Sequence, residues 1–278
     1  MRLGQLAGRL AVLCVLATAI ALAALGAACT DGGGGDAEGD VEQTLRDIVA
    51  AWNDQDYDAW SAHFTENGIM IDLGDVEDQS PEGLRAGFEQ FSSEDELVIH
   101  TIGEIAVDGD TATAEVEASS RERGGDAPSS IIIGLSATLV LEDEVWKIDT
   151  EEFTSPEIPD GVTSVDLEAA EFSFTFDAGA VAGGDFAFVM NNVGAQQHHI
   201  VVEQVPEDFD VEAALMSEEE PEGLTHIGST PPQEPGDTRN VVFTDELPAG
   251  RYVMLCFMSD TDGTPHALKG MWKDFTVE

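Results

Sequence analysis

The sequence predicts two dissimilar domains behind an export signal: an α+β cone, helices on a curved antiparallel sheet, at residues 40–156, and an all-β Greek-key sandwich at residues 163–278. Three observations predict this. Apolar residues recur every three or four positions as far as Phe91 and every second position beyond it. From Thr163 onward the chain is strand and turn with one short helical insert. Between the two patterns lies "TSPEIPDGVTS", a proline- and glycine-punctuated stretch that places a linker at residues 157–162.

Residues 1–28 read as a signal peptide. Arg2 and Arg9 precede the apolar run "LAVLCVLATAIALAALGAAC", which ends in small residues and has no basic flank after it. The close of that run, "LGAAC", resembles a bacterial lipobox, which implies acylation of Cys29. Gly26 stands where the pattern has leucine, and Leu25 is one residue further back. Residues 29–39, with "TDGGGGDAEGD", read as a flexible tether. The expected location is therefore the outer face of the cell membrane, held by a lipid anchor.

The chain carries 56 acidic against 11 basic side chains, a formal net charge of −45. Such a surface excludes electrostatic binding to nucleic acid or anionic lipid. The acids are spread along the whole chain, which favours a solvating role, and they also suit a basic partner.

In the cone, Val41, Leu45, Ile48 and Trp52 lie at helical spacing in "DVEQTLRDIVAAWND", with Asp40 as cap. "YDAWSAHF" predicts a second short helix broken by "TENG", and "SPEGLRAGFEQF" a third with Ser80 as cap and Pro81 at its first position. "LVIHTIGEIAV", "TATAEVEASS", "SSIIIGLSATLVL" and "VWKIDTEEF" alternate as strands, with turns at "VDGD" and "EDE". "AWNDQDYDAWSAHFTENGIMID" and the closing "LEDEVWKIDTEEF" resemble the SnoaL-like, ketosteroid-isomerase-like superfamily. That superfamily includes cyclases, isomerases and non-catalytic binding modules. Candidate chemistry in the cone falls to Tyr57, Trp60, His63 or His100 beside a carboxylate, and spacing does not choose among them. A satisfied core histidine is the commoner role for His63 and His100.

In the second half, "EFSFTF" and "DFAFVM" put Phe172, Phe174, Phe176 and then Phe186, Phe188, Met190 on single faces. "NNVGAQQ" is a turn and "HHIVVEQV" the next strand. "PEDFDVEAALMSEEE" predicts a surface helix, followed by the loop "STPPQEPGD" and the strands "NVVFTDEL" and "GRYVMLCFM", with "MWKDFTVE" closing the chain. Cys14 belongs to the signal and Cys29 to the anchor, so Cys256 remains as a single thiol in an exported protein. It is either a buried core thiol or a metal thiolate.

"NNVGAQQHHIVV" and "LPAGRYVMLCF…PHALKGMWKDFTV" resemble the cupredoxins, the plastocyanin, azurin and nitrite-reductase type-1 copper family. The resemblance implies one copper ion held by Cys256, by His266, by Met271 as axial ligand, and by His198 or His199. A soft thiolate and thioether with two imidazoles is a donor set that suits copper. The strand period favours His198, which shares its face with Ile200 and Val202, whereas His199 shares its face with Glu203. His199 then stands where the family has an asparagine bracing the ligand loop. Nine residues separate Cys256 from His266, more than in small carriers, and "SDTDGTP" makes that loop polar. His226 is read as a surface histidine without a partner.

The function expected is copper holding or one-electron transfer, with electrons leaving through the edge of His266 to a docked, basic redox partner. The sequence has no HxH motif for a second copper centre, which argues against a multicopper oxidase or a complete nitrite reductase. The other reading is a metal-free binding or assembly lipoprotein whose cone grips a small ligand or a partner.

Overall fold

The computed structural model describes residues 34–73, 76–217 and 221–278. The signal peptide and Cys29 lie outside the described residues. The first helix, α1 (Gly34–Asn53), begins six residues before the expected Asp40 start, so the last part of the predicted tether is helical. Ala37 and Glu38 explain this locally, since both are strong helix formers and an acid suits a helix start. Val41, Leu45, Ile48 and Trp52 on α1 are all buried.

Three shorter helices follow, each with a side-chain cap. Asp56 caps α2 (Tyr57–Ser61), Thr65 caps α3 (Glu66–Asp72) and Ser80 caps α4 (Pro81–Glu94). Helix α3 covers "ENGIMID", where a break was expected. The Thr65 hydroxyl accepts the Gly68 N–H at 3.0 Å, and this starts a new turn where asparagine and glycine read as a stop.

Four long strands complete the cone: β1 (Asp95–Asp108), β2 (Thr111–Glu122), β3 (Ile131–Glu142) and β4 (Val145–Thr154), paired antiparallel in sequence order. Asn53 latches α1 to this sheet, its amide donating to the Leu97 carbonyl at 2.8 Å and accepting the Leu97 N–H at 2.9 Å.

The second half builds a sandwich from β5 (Thr163–Ala170), β6 (Ser173–Thr175), β7 (Phe186–Asn192), β8 (Val201–Val205), β9 (Thr225–Ser229), β10 (Thr238–Phe243), β11 (Gly250–Leu255) and β12 (Trp272–Val277). One sheet runs β10-β7-β5-β6, with β5 parallel to β7, and the other runs β12-β11-β8-β9. The predicted stripe of β7 packs inside the sandwich: Phe186 and Phe188 meet Phe275 of β12 edge to face, and Phe176 meets Phe188 and Phe275. Phe172, expected on the same face as Phe174 and Phe176, lies outside β6 with φ +65° and packs on His266 instead. The outer face of the second sheet is covered too, by α5 (Val211–Met216) with Phe209 and Leu224 against Val201, Val205 and Val253.

The two halves share one sheet. Strand β10 pairs with β3, Val242 opposite Ile132 and Phe243 opposite Ile131. Ile131 and Ile133 of the cone belong to the sandwich core. Thr244 and Ser130 exchange bonds of 2.8 and 3.0 Å, and Asn240 reaches Ser155 and Pro156 at 2.9 Å each. Gly228 in β9 eases the close approach here: a Cβ on it would stand 3.0 Å from the Ile131 nitrogen. Among the described residues no helix is long and apolar enough to cross a membrane.

Candidate metal centre

The site begins at the end of β11. Strands β11 and β8 leave Cys256 and the segment from His198 to Ile200 side by side, and the chain beyond Cys256 must return to present His266. The nine-residue loop does this by pairing with itself. His266 N–H donates to the Met258 carbonyl at 2.8 Å, Ser259 and Pro265 form a bridge, and Asp260 N–H donates to the Thr264 carbonyl at 2.9 Å. Gly263, at φ +80°, turns the tip. The extra residues thus form a small hairpin, whose pairing brings His266 back beside Cys256.

Three donors converge there. Cys256 Sγ lies 3.6 Å from His266 Nδ1 and 3.9 Å from His198 Nδ1, and the two Nδ1 atoms are 3.2 Å apart. A point equidistant from all three lies about 2.1 Å from each, which is the length of metal–nitrogen bonds and close to that of metal–sulfur bonds. His198, Cys256 and His266 are at most 1% exposed. Met271 is fully buried in the same core; its carbonyl accepts the Cys256 N–H at 3.1 Å, and its N–H donates to the His266 carbonyl at 3.0 Å.

His266 Nε2 faces Gln196 Oε1 at 3.3 Å, an oxygen acceptor, so its ring proton belongs on Nε2 and its Nδ1 lone pair points inward. His198 Nε2 is buried without a hydrogen-bond partner; Glu171 Oε1 stands 3.7 Å away, beyond hydrogen-bond reach. Burial pushes the pKa of both imidazoles down, in His198 with added repulsion from His266. Neutral imidazole is the form that ligates. Burial also pushes the Cys256 thiol up to about 11, against the pull of the His199 and Met258 N–H groups directed at the sulfur. A metal binding these groups would displace the thiol proton. Gly194 makes room for this shell, since a Cβ there would lie 2.8 Å from both Glu171 Oε1 and His198 Nε2.

His199 points to the other face of β8 and supports the loop. Its Nε2 accepts the Phe257 N–H at 2.8 Å, directly after Cys256, and burial pushes its pKa down to about 3. Two expectations need correction here. Glu203 is buried, 4% exposed, and His226 is its partner at 2.8 Å rather than an unpaired surface group. The helix α5 covers a sheet face that the strand pattern alone read as outward. The edge of His266 is not open to solvent either: Phe172 and Gln196 cover it.

The cone has a cavity of its own, about 90 Å³, lined by Trp52, Trp60, Phe64, Ile99, Val116 and Ile148 among others. Of the candidates Tyr57, Trp60, His63 and His100, Trp60 alone lines it. His100 is exposed and bonds Ser119 Oγ at 2.8 Å. The polar groups on the cavity wall are instead Asp72, Glu151 and Ser119. Burial, then repulsion from Glu151, raises Asp72 well above the carboxylate range, and burial raises Glu151 to about 7.

This cone matches a family model described as a SnoaL-like domain over residues 45–143. Residues 45–143 carry a SnoaL-like domain. Solved structures similar to parts of the chain include an NTF-2-like protein of unknown function from Shewanella oneidensis, 18% identical, covering 41% of this chain and 96% of its own, with a TM-score of 0.32. A cystatin-like-fold protein from Nostoc punctiforme is 13% identical and covers 41% of this chain and 86% of its own, with a TM-score of 0.32. Dithionite-reduced auracyanin from Roseiflexus castenholzii is 23% identical and covers 42% of this chain and 99% of its own, with a TM-score of 0.29. No curated protein matches the sequence.

In the SnoaL-like domain the two acids escaped the sequence reading for a simple reason. Asp72 sits at the end of an unforeseen helix, and Glu151 is one of two adjacent glutamates in a strand where an extra residue between Ile148 and Thr150 shifts the alternation. In the sandwich, the His198–Cys256–His266 cluster is compatible with copper: two nitrogens and a sulfur converge within 3.2–3.9 Å of one another.

Proposed function

We propose that the chain is a membrane-anchored extracytoplasmic copper-binding protein, with one type-1-like copper ion in the sandwich serving one-electron transfer or copper holding. The observation that carries this reading is the buried convergence of His198 Nδ1, Cys256 Sγ and His266 Nδ1 on one point, with the outer nitrogen of His266 facing Gln196. His198, Cys256 and His266 would hold the ion, and Met271 would supply the weak axial thioether. Copper, when bound, supplies a one-electron couple. The protein's part is to keep water out, to orient the His266 ring through Gln196, and to release the Cys256 proton.

The acidic surface would meet a basic redox partner, and an acylated Cys29 would hold the protein at the membrane. The apolar cavity of the SnoaL-like domain favours a second reading, a metal-free binding or assembly lipoprotein in which that cavity grips a small ligand.

The deciding experiment is a visible spectrum of residues 30–278 after addition of Cu(II). An intense thiolate-to-copper band is the expected result; its absence, together with a melting temperature that copper leaves unchanged, transfers the case to the second reading. For the anchor, Cys29→Ser should move the processed protein from the membrane to the soluble fraction.

A further inference from the structure

His198, Cys256 and His266 are closed off from solvent, and a single two-residue turn touches both imidazoles. Glu171 and Phe172 join β5 to β6. Phe172 has φ +65°, a left-handed backbone that a bulky aromatic residue rarely adopts. Its ring meets His266 edge to face, with centroids 5.2 Å apart and planes at 71°. The Lys269 ammonium lies over the same ring, 5.2 Å from its centre, and also pairs with Asp260 and with Asp262 at 2.8 Å. Phe172 is itself half-buried, so one side of its ring faces the site and the rest faces outward.

Glu171 holds the turn in place. Its Oε1 accepts the Ala195 and Gln196 N–H groups at 2.6 and 2.8 Å and stands 3.7 Å from His198 Nε2. Gln196 in turn contacts His266 and donates to Asp260 at 3.1 Å, so the turn, the 194–197 loop and the Cys–His hairpin are bonded together. An aromatic side chain in a left-handed conformation persists only when its surroundings demand it, and the surroundings here are a ligand ring on one side and a clamped lysine on the other.

We propose that the Glu171–Phe172 turn is the access gate of the centre, with Phe172 as the wall between the ligand cluster and solvent and Glu171 as the latch that holds it. The proposal rests on the copper reading only for the identity of what is gated. Any ion or reagent reaching Cys256 from the His266 side must displace this ring.

The test uses the metal-free mature chain, residues 30–278, and a small aromatic disulfide reagent whose reaction with Cys256 releases a coloured thiolate. Phe172→Gly removes the wall without straining the turn, because glycine accepts the positive φ. The expected result is modification at least about tenfold faster than wild type, at a rate insensitive to low denaturant, as local opening requires. Phe172→Tyr should react at the wild-type rate, since it restores the ring. Glu171→Gln should fall between the two, because a neutral acceptor holds the two N–H groups less firmly. A Phe172→Gly rate equal to wild type, or one that rises only in step with global unfolding, overturns the gate. Adding Cu(II) to the same proteins separates the two claims: no visible band in any of them sinks the copper reading, while the thiol rates still decide the gate.

Discussion

The chain places titratable groups inside itself twice, and the two interiors solve the problem in opposite ways. In the sandwich, His198, Cys256 and His266 point at one another across 3.2–3.9 Å, and Gln196, Glu171 and backbone N–H groups stand around them. In the SnoaL-like domain, Asp72 and Glu151 face a cavity of about 90 Å³ lined by tryptophan and aliphatic side chains. The first arrangement turns three unlike donor atoms toward one point. The second holds two like groups, so desolvation and mutual repulsion are relieved by keeping protons. Burying a polar group is tolerated when its partner is a converging set of unlike donors, and otherwise the group neutralises itself.

Cys256→Ser should break the sandwich side of this comparison most completely. Serine's hard oxygen cannot replace a soft thiolate, so both the visible copper band and the copper-induced rise in melting temperature should vanish, read by spectrophotometry and calorimetry. His199→Ala tests the support beneath. It strands the buried Phe257 N–H and should cost about 1–3 kcal/mol in denaturant melts while copper still binds.

Glu151→Gln sharpens the cone side. A carboxyl whose folded pKa is raised to about 7 holds a proton that the unfolded chain has lost above about 4.5, so wild-type stability falls as pH rises through that window. The amide cannot ionise. It should therefore stabilise the protein by on the order of 2 kcal/mol at pH 8 and have little effect at pH 5. Equal effects at both pH values in urea melts would show that the carboxyl is not held protonated.

Gly228→Ala addresses the seam between the two interiors and should have the smallest effect. The added Cβ would meet the Ile131 nitrogen at 3.0 Å, at φ +152°, for an expected cost of about 1–2 kcal/mol. If β10 and β3 make the halves one cooperative unit, wild type should melt in a single transition and Gly228→Ala should broaden or split it. Two transitions already present in wild type would mean that the shared sheet does not couple them.

Much of the molecule was legible as sequence because the signals involved are local or strictly periodic. Val41, Leu45, Ile48 and Trp52 announce α1, the aromatic alternation of β6 and β7 announces an inner sheet face, and the order of His198, Cys256, His266 and Met271 follows strand and loop order. What determined these was the 3.6- and 2-residue periods and the small set of side chains that ligate soft metals.

Only tertiary structure decided the rest, because it depends on contacts between segments far apart in the chain. The Cys256–His266 hairpin brings a long loop's ends together through pairing that residue spacing does not reveal. The cover of α5 turns the Glu203 face of β8 from a surface into an interior, where His226 becomes its partner. A bulge in β4, one extra residue between Ile148 and Thr150, put Glu151 rather than Glu152 on the cavity wall, and a strained Phe172, 94 positions before His266 in the numbering, came to lie against its ring. Periodicity states which face of an element a residue occupies; what stands opposite that face is decided by the fold.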